Sequence, residues 1–318
     1  MLKQSCFVIG CTGQDGSLLC KSLLNQGHQV IGITRKLNYS KINFIKLGIN
    51  KKLKVIPIDL TNHEKIIQLI KDNNPSEIYN LSAQSSVGLS FEKPLDTYKS
   101  IISVTYNLLE ICKKSSYKGR IFFAGSSEIY GNVITRAKVN DPKYPKSPYA
   151  LAKQTSMNFV EFYREIYKLN CVTGVLFNHE SSLRPNNFIT QKIITGAIKS
   201  FNDKNFKLQV GNINVIRDWG DAEEYVEGIQ AITRAKKLKD QIICTGIETS
   251  LEQFIDKVFM KLSLNWKNHI EINPTLFRES DIARSVGDPT DCYKETGWKT
   301  TIQIDELISK LIKEKKNH

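Results

Sequence analysis

The first 34 residues alternate in a way that few architectures accommodate. Ser5–Ile9 is a short apolar run. It passes into G-C-T-G-Q-D-G, with Gly10, Gly13 and Gly16 three apart, and then into Ser17–Gln26, which has helical periodicity and stops at Gly27. Gln29–Thr34 is a second β-rich run. Strand, glycine loop, helix and strand together predict a βαβ unit, and so a parallel sheet. In that setting the glycines let the backbone come close to a pyrophosphate, and the helix N-terminus faces its charge. A glycine motif alone is weak; the strand before it and the helix after it make a dinucleotide loop the expectation. Cys11, within this loop, reads as a small packing residue or an accessible thiol.

The alternation continues. Leu53–Ile58 predicts a third strand, closing with Asp59-Leu60, and His63–Lys71 a helix. Glu77–Leu81 predicts a fourth strand, followed by the small polar loop Ser82–Ser86, and a helix through Asn107–Lys113 leads to a strand at Arg120–Ala124. A helix from near Pro148 to about Leu169 precedes a strand at Cys171–Leu176. After about residue 177 the alternation breaks. Helices are expected at Phe188–Phe201, Asp221–Ala235, Leu251–Lys261 and Ile304–Lys313, and strands at Lys207–Val210 and Gln241–Thr245. The expected fold is α/β: a doubly wound parallel sheet (1–177) with a smaller mixed lobe (178–318), the chain crossing between them. Arg35 and Lys36 follow the second strand, where an acid would take the ribose 2′-hydroxyl of NAD. A basic pair suits the 2′-phosphate of NADP instead; two surface cations are the plainer alternative.

One stretch carries chemistry. S-S-E-I-Y-G begins at Ser126, directly after an apolar strand, and S-P-Y-A-L-A-K follows about twenty residues later. Tyr149 and Lys153, four apart, share one helix face. A lysine beside a phenol is expected to lower the tyrosine pKa towards neutrality, so that it takes a proton from an alcohol while a hydride leaves the same carbon. Ser126 and Glu128 sit at a strand end, where ligands bind in open α/β sheets. Y-x-x-x-K by itself is common on amphipathic helices, so its neighbours must carry the case.

Composition narrows the classes. At 318 residues and 41% hydrophobic, the chain is long enough for one large or two closely joined domains. No apolar run approaches the ~20 residues of a membrane span, and the N-terminus shows no apolar signal region, so a cytoplasmic location is expected. The seven cysteines are scattered without C-x-x-C, which fits reduced thiols and no metal site. A formal charge of +13 raises nucleic acid, but the lysines are spread and form no basic stripe; an anionic small molecule gains from the same field.

Longer strings then converge. T-G-Q-D-G-S, Y-N-L-S-A-Q-S-S-V, S-S-E-I-Y-G, S-P-Y-A-L-A-K, L-F-N-H-E-S, N-F-I-T-Q-K-I and R-D-W-G-D-A-E-E-Y-V-E resemble the GDP-mannose 4,6-dehydratase family of extended short-chain dehydrogenase/reductases, from Ile9 to about Trp298. The resemblance implies NADP held by Gly10, Thr12, Gly13, Gln14, Asp15, Gly16, Arg35, Asp59, Leu60, Leu81, Ala83, Tyr149, Lys153 and His179. It implies catalysis by Ser126, Glu128, Tyr149 and Lys153, and GDP-sugar contacts at Ser85, Asn178, Lys192, Arg217 and Arg278. It implies an internal redox cycle that yields a 4-keto-6-deoxy sugar, with Glu128 as the C5 base that separates dehydratases from related epimerases and keto reductases. His179 reads as a histidine packed beneath the site, and Glu180 as a residue holding the loop. A homodimer or homotetramer is implied. The segment after Arg35 is trimmed, and Leu183-Arg184-Pro185 stands where the family has two arginines and a glycine, which weakens the tetramer. Ile101 and Val104 replace an asparagine and a glycine, leaving room for a shifted sugar such as a heptose. A non-catalytic NADP-binding protein is a further alternative.

Overall fold

The computed structural model describes residues 4–277 and 280–316. The chain runs β1 (Ser5–Ile9), α1 (Gln14–Asn25), β2 (Gln29–Thr34), α2 (Ile42–Lys46), β3 (Lys54–Pro57), α3 (His63–Asn73), β4 (Glu77–Asn80), α4 (Val87–Glu92), α5 (Pro94–Tyr98), α6 (Val104–Lys114), β5 (Arg120–Ala124), α7 (Pro148–Glu165) and β6 (Cys171–Leu176). Then come β7 (Asn178–Glu180), α8 (Ile189–Asn202), β8 (Leu208–Val210), β9 (Ile216–Arg217), β10 (Trp219–Asp221), α9 (Ala222–Thr233) and β11 (Gln241–Ile243). The remainder adds β12 (Thr249–Ser250), α10 (Leu251–Met260), β13 (Ile270–Ile272), β14 (Arg284–Ser285), α11 (Thr290–Thr296) and α12 (Ile304–Lys316).

Seven of these strands form one sheet in the order β11-β6-β5-β4-β1-β2-β3, every pair parallel. Alternate side chains enter opposite cores, as a sheet covered on both faces requires. Cys6, Val8 and Phe122 join Leu19, Leu23, Tyr225 and Ile229 on one face. Phe7, Ile9, Ile121 and Phe123 join Leu108, Ile111 and Val160 on the other. The order reverses between β1 and β4, which opens a crevice at their carboxyl ends.

Two expectations need correction. The first helix begins at Gln14 rather than Ser17, so Gln14 and Asp15 belong to its first turn. The helix before β5 begins at Val104, after a π-helical turn over Lys99–Ser103. After residue 177 the chain crosses back to the sheet: α9 packs beside α1, with Gln26 Nε2 donating to Gln230 Oε1 at 2.8 Å, and β11 then pairs with β6. The segments outside the main sheet enclose a second core of Ile193, Val210, Phe254, Val258, Leu307 and Leu311.

The amino end of the sheet is fastened by charge. Glu77, only 4% exposed, accepts from Arg234 Nε at 2.7 Å and Nη2 at 2.9 Å, and from the Tyr79 hydroxyl at 2.7 Å. The fork joins β4 to the end of α9. Removing one partner strands a buried charge. Arg234→Met is therefore expected to cost about 3 kcal/mol in urea unfolding, and adding Glu77→Gln to return much of that loss; equal midpoints for the single and double variants would contradict it.

Candidate active site

A cavity of about 550 Å³ opens at the carboxyl ends of the sheet strands. Its floor is the glycine loop. Gly10 has φ +83°, and a side chain there would strike the Ser82 nitrogen at 2.7 Å. A Cβ on Gly16 would lie 2.2 Å from the Gly10 carbonyl, so helix and loop close only around glycine. At Gly13 a Cβ would meet nothing nearer than 3.6 Å. No side chain caps α1, so its first amides face this opening. An uncapped helix start beside an open glycine fits a dinucleotide pyrophosphate.

The catalytic candidates meet on the opposite wall. Ser147 caps α7 by accepting from the Ala150 amide at 3.1 Å, and Pro148 sets its first turn. This places Tyr149 and Lys153, 8% and 7% exposed, against the end of β5. The Lys153 ammonium donates to the Ala124 carbonyl at 2.8 Å and lies 5.8 Å from the Tyr149 ring centre. Ser126 precedes a short 3-10 turn, Ser127–Tyr130, which carries the half-buried Glu128. Ser126, Glu128, Tyr149 and Lys153 all line the cavity.

Burial opposes the expected phenol acidity. Burial pushes Tyr149 up to about 12; a hydrogen bond with Ser126 opposes the rise and Glu128 adds to it. The ring packs with Ile101 and Ala152, and the lysine points at a carbonyl instead of the phenol oxygen. Burial also lowers Lys153 to about 8, against the opposing pull of Asp15.

Of the other expected residues, Leu81, Ala83, Ser85, Asn178, His179, Lys192 and Arg217 line the cavity. Arg217 Nη1 donates to the Ile216 carbonyl at 2.9 Å and the Ile282 carbonyl at 2.7 Å, which fixes the guanidinium at the wall. Thr12, Arg35, Asp59 and Leu60 do not line it. Arg35 and Asp59 are exposed at the carboxyl ends of the neighbouring strands β2 and β3; Asp59 accepts from the Thr61 amide, and the Leu60 side chain is in the core. Arg278 lies outside the described residues. Gln14 lines the cavity, but its amide is committed to protein: Oε1 accepts from Ser181 N and Oγ at 3.1 and 2.9 Å, and Nε2 donates to Asp15 and the His179 carbonyl. Its side chain fastens the two halves of the site together.

Arg184, Asn212 and Asp281 also line the cavity and carried no sequence signal of their own. Arg184 lies in the stretch that departs from the family string, which hides it. Its guanidinium sits 4.0 Å from the Phe188 ring centre, 3.3 Å from Glu180 and 3.0 Å from the His179 carbonyl. Glu180 is wholly buried; burial raises its pKa, against Arg184 and the Thr190 hydroxyl that donates to it. Among the described residues no group of three or more His, Cys, Asp or Glu is placed to hold a metal. No helix among them is long and apolar enough to cross a membrane.

The sequence matches the model of the GDP-mannose 4,6 dehydratase family over residues 7–311. The chain belongs to the GDP-mannose 4,6-dehydratase family. It is 34% identical to GDP-mannose 4,6 dehydratase 2 of Arabidopsis thaliana over 96% of this chain and 85% of that one. It is 31% identical to the GDP-mannose 4,6-dehydratase of Sinorhizobium fredii over 96% and 95%. In fold it is similar to the dTDP-glucose 4,6-dehydratase of Streptomyces venezuelae solved with NAD, with a TM-score of 0.89 at 16% identity over 99% and 97% of the two chains. Membership assigns a hydro-lyase acting on a GDP-sugar. The Tyr149 environment gives a direct check in this dehydratase. Comparing wild type with Tyr149→Phe by phenolate absorbance, no titrating tyrosine should be lost below pH ~11; a midpoint near neutrality in the free protein would contradict the burial argument.

Proposed function

We propose that this cavity converts GDP-mannose, or a close GDP-hexose or heptose, to the GDP-4-keto-6-deoxy sugar with a resident NADP. The observation that carries the reading is the sharing of one cavity by Glu128 and the Tyr149–Lys153 pair. The bound nicotinamide would supply a hydride acceptor for C4 and a hydride donor for C6. The positive nicotinamide of a bound NADP⁺ and the Lys153 ammonium would together lower the buried Tyr149 phenol from its raised value; as phenolate, Tyr149 would take the proton of the sugar 4-hydroxyl, and Ser126 would donate a hydrogen bond to the 4-oxygen as charge develops. The 4-ketone acidifies C5. Glu128 removes that proton and passes it to the 6-hydroxyl, which leaves as water as the C5–C6 double bond forms. Hydride returned to C6, with the proton held by Tyr149 delivered to C5, would saturate that bond and leave the cofactor unchanged.

Arg217 and Lys192 supply the cations that a diphosphate needs, and Asn178 and Ser85 line the same wall. Arg35, exposed beside Lys36 at the end of β2, favours NADP over NAD. We further propose a cytoplasmic enzyme with lobes at 1–177 and 178–318. It pairs as a homodimer through the outer faces of α6 and α7, where Tyr106, Leu151 and Phe162 are exposed.

With GDP-mannose and NADP present, the product should have lost one water with no net change in reduced cofactor. Glu128→Gln should lower turnover by about a hundredfold or more while still forming reduced nicotinamide transiently, followed by its absorbance. An unchanged mass for every GDP-sugar offered would sink the reading, and an unimpaired Glu128→Gln would move it to an epimerase or keto reductase.

A further inference from the structure

The proposed C5 base stands on a segment with little structure of its own. Glu128 rides the 3-10 turn Ser127–Tyr130, and no helix or strand lies between that turn and α7. The bonds of a 3-10 turn are poorly aligned, so its flanks decide how firmly it is held. The chain leaves it through Gly131, at φ +64°, where a Cβ would strike the Tyr144 carbonyl at 2.5 Å. A long connection without regular structure needs outside support. This one receives it from residues 280–288.

Backbone contacts join the two. The Ala283 amide donates to Asn132 Oδ1 at 2.5 Å, the Val133 amide to the Arg284 carbonyl at 3.2 Å, and the Ala137 amide to the Val286 carbonyl at 2.9 Å. The Ser280 hydroxyl donates to the Lys146 carbonyl at 2.7 Å, just ahead of the Ser147 cap of α7. Arg284 adds the firmest grip. Its Nη1 donates to three successive carbonyls, of Val133, Ile134 and Thr135, at 3.1, 2.8 and 3.0 Å. Its Nε and Nη2 donate to Glu248. A surface ion pair is the plainer reading of Arg284 and Glu248, and such pairs contribute little. The three carbonyls favour the other one, because a planar fork holds a carboxylate on one edge and backbone on the next.

The same residues brace the wall that carries Arg217. β14 pairs with β9 along one edge of β9, and β12 pairs with its other edge. The Ile216 amide donates to the Ala283 carbonyl at 2.8 Å, and Arg217 Nη1 reaches the Ile282 carbonyl at 2.7 Å. Glu248 directly precedes β12, so its pairing with Arg284 spans the strand of Arg217. The loop that follows Glu128 and the strand of Arg217 are thus fixed to opposite edges of one strut.

We infer that Arg284 is a positioning residue for Glu128, tying the exit of its turn to the strand that braces Arg217, so that one strut places both the C5 base and the cation for the diphosphate. Arg284 does not line the cavity; it acts through the loop. The inference rests on the reading of Glu128 as the C5 base and Arg217 as the diphosphate ligand.

Turnover by the full chain with NADP⁺ and the GDP-sugar that wild type accepts, GDP-mannose first, tests it. Arg284→Met should lower kcat by about ten- to a hundredfold and keep KM within about threefold. Reduced nicotinamide should accumulate transiently, because oxidation at C4 precedes the step that needs Glu128. In a Glu128→Gln background the same change should cost less than about threefold more, since the base it positions is already lost. Arg284→Lys keeps the charge without the fork and should stay impaired. An unimpaired Arg284→Met beside an active wild type would overturn the inference. Equal losses with and without Glu128 would do so too, as would full activity in Arg284→Lys. A wild type inactive on every GDP-sugar would overturn the reading beneath it and the inference with it. A second measurement needs no variant. Hydrogen exchange should slow in the peptide that holds the Val133 and Ala137 amides when GDP is bound. GDP that binds by calorimetry without slowing that peptide would overturn the shared strut and leave the diphosphate reading standing; GDP that does not bind would overturn both.

Discussion

A buried ammonium at the carboxyl edge of a parallel sheet is the constraint that the rest of this site must satisfy. Lys153 has one strong partner, the Ala124 carbonyl at 2.8 Å, and little water. An ion in that setting pays for lost hydration unless its neighbourhood is electronegative. The fold supplies this from two directions. The end of β5 presents the Ala124 carbonyl to the ammonium, and Asp15 supplies a negative charge from the first turn of α1. Both depend on the strand order, because β1 and β5 flank β4 and their loops rise on the same rim.

The two halves of the site are locked by buried polar contacts as well as by apolar packing. Gln14 spends its whole amide on the segment His179–Ser181. Beyond it, Asp218 is fully buried and accepts from the Thr245 amide and hydroxyl and the Gly246 amide. Burial raises its carboxyl to about 6 despite those donors. It sits next to Arg217, whose guanidinium reaches the Ile282 carbonyl. The wall that would face a nucleotide diphosphate is therefore a cross-braced set of short strands, β9 with β12 and β14, rather than a mobile loop.

Much of this was legible in the sequence, for identifiable reasons. Strands β1, β2, β5 and β6 ended where the apolar runs ended, because both faces of the sheet are buried and little but apolar residues is tolerated there. The gathering of the four candidate residues was legible because their spacing is local: Tyr149 and Lys153 ride one helix turn, Ser126 and Glu128 follow one strand, and all four line one cavity. The two- and three-residue strands β7, β9, β10, β12 and β14 were not, since nothing local stabilises them and their partners are 30 or more residues away in several cases. The burial that opposes the expected acidity of Tyr149 was not legible for the same reason. Spacing puts the lysine on the right face, but the packing of Ile101 and the pull of the Ala124 carbonyl come from other elements.

Asp15 ties these observations together electrically. Its charge supports the proton on Lys153, raises the phenol of Tyr149, holds the proton on His179 and bears on Glu180. One carboxylate at the pyrophosphate loop thus enters the proton balance of the acid–base pair across the cavity. The same charge favours the lysine cation across the cavity. The opposing demands are met by geometry: His179 lies at 3.0 Å, within ion-pair contact, whereas Lys153 feels Asp15 only through the field. A cation beside a phenol on one sheet rim is thus supported by a carboxylate that stands on another strand's loop.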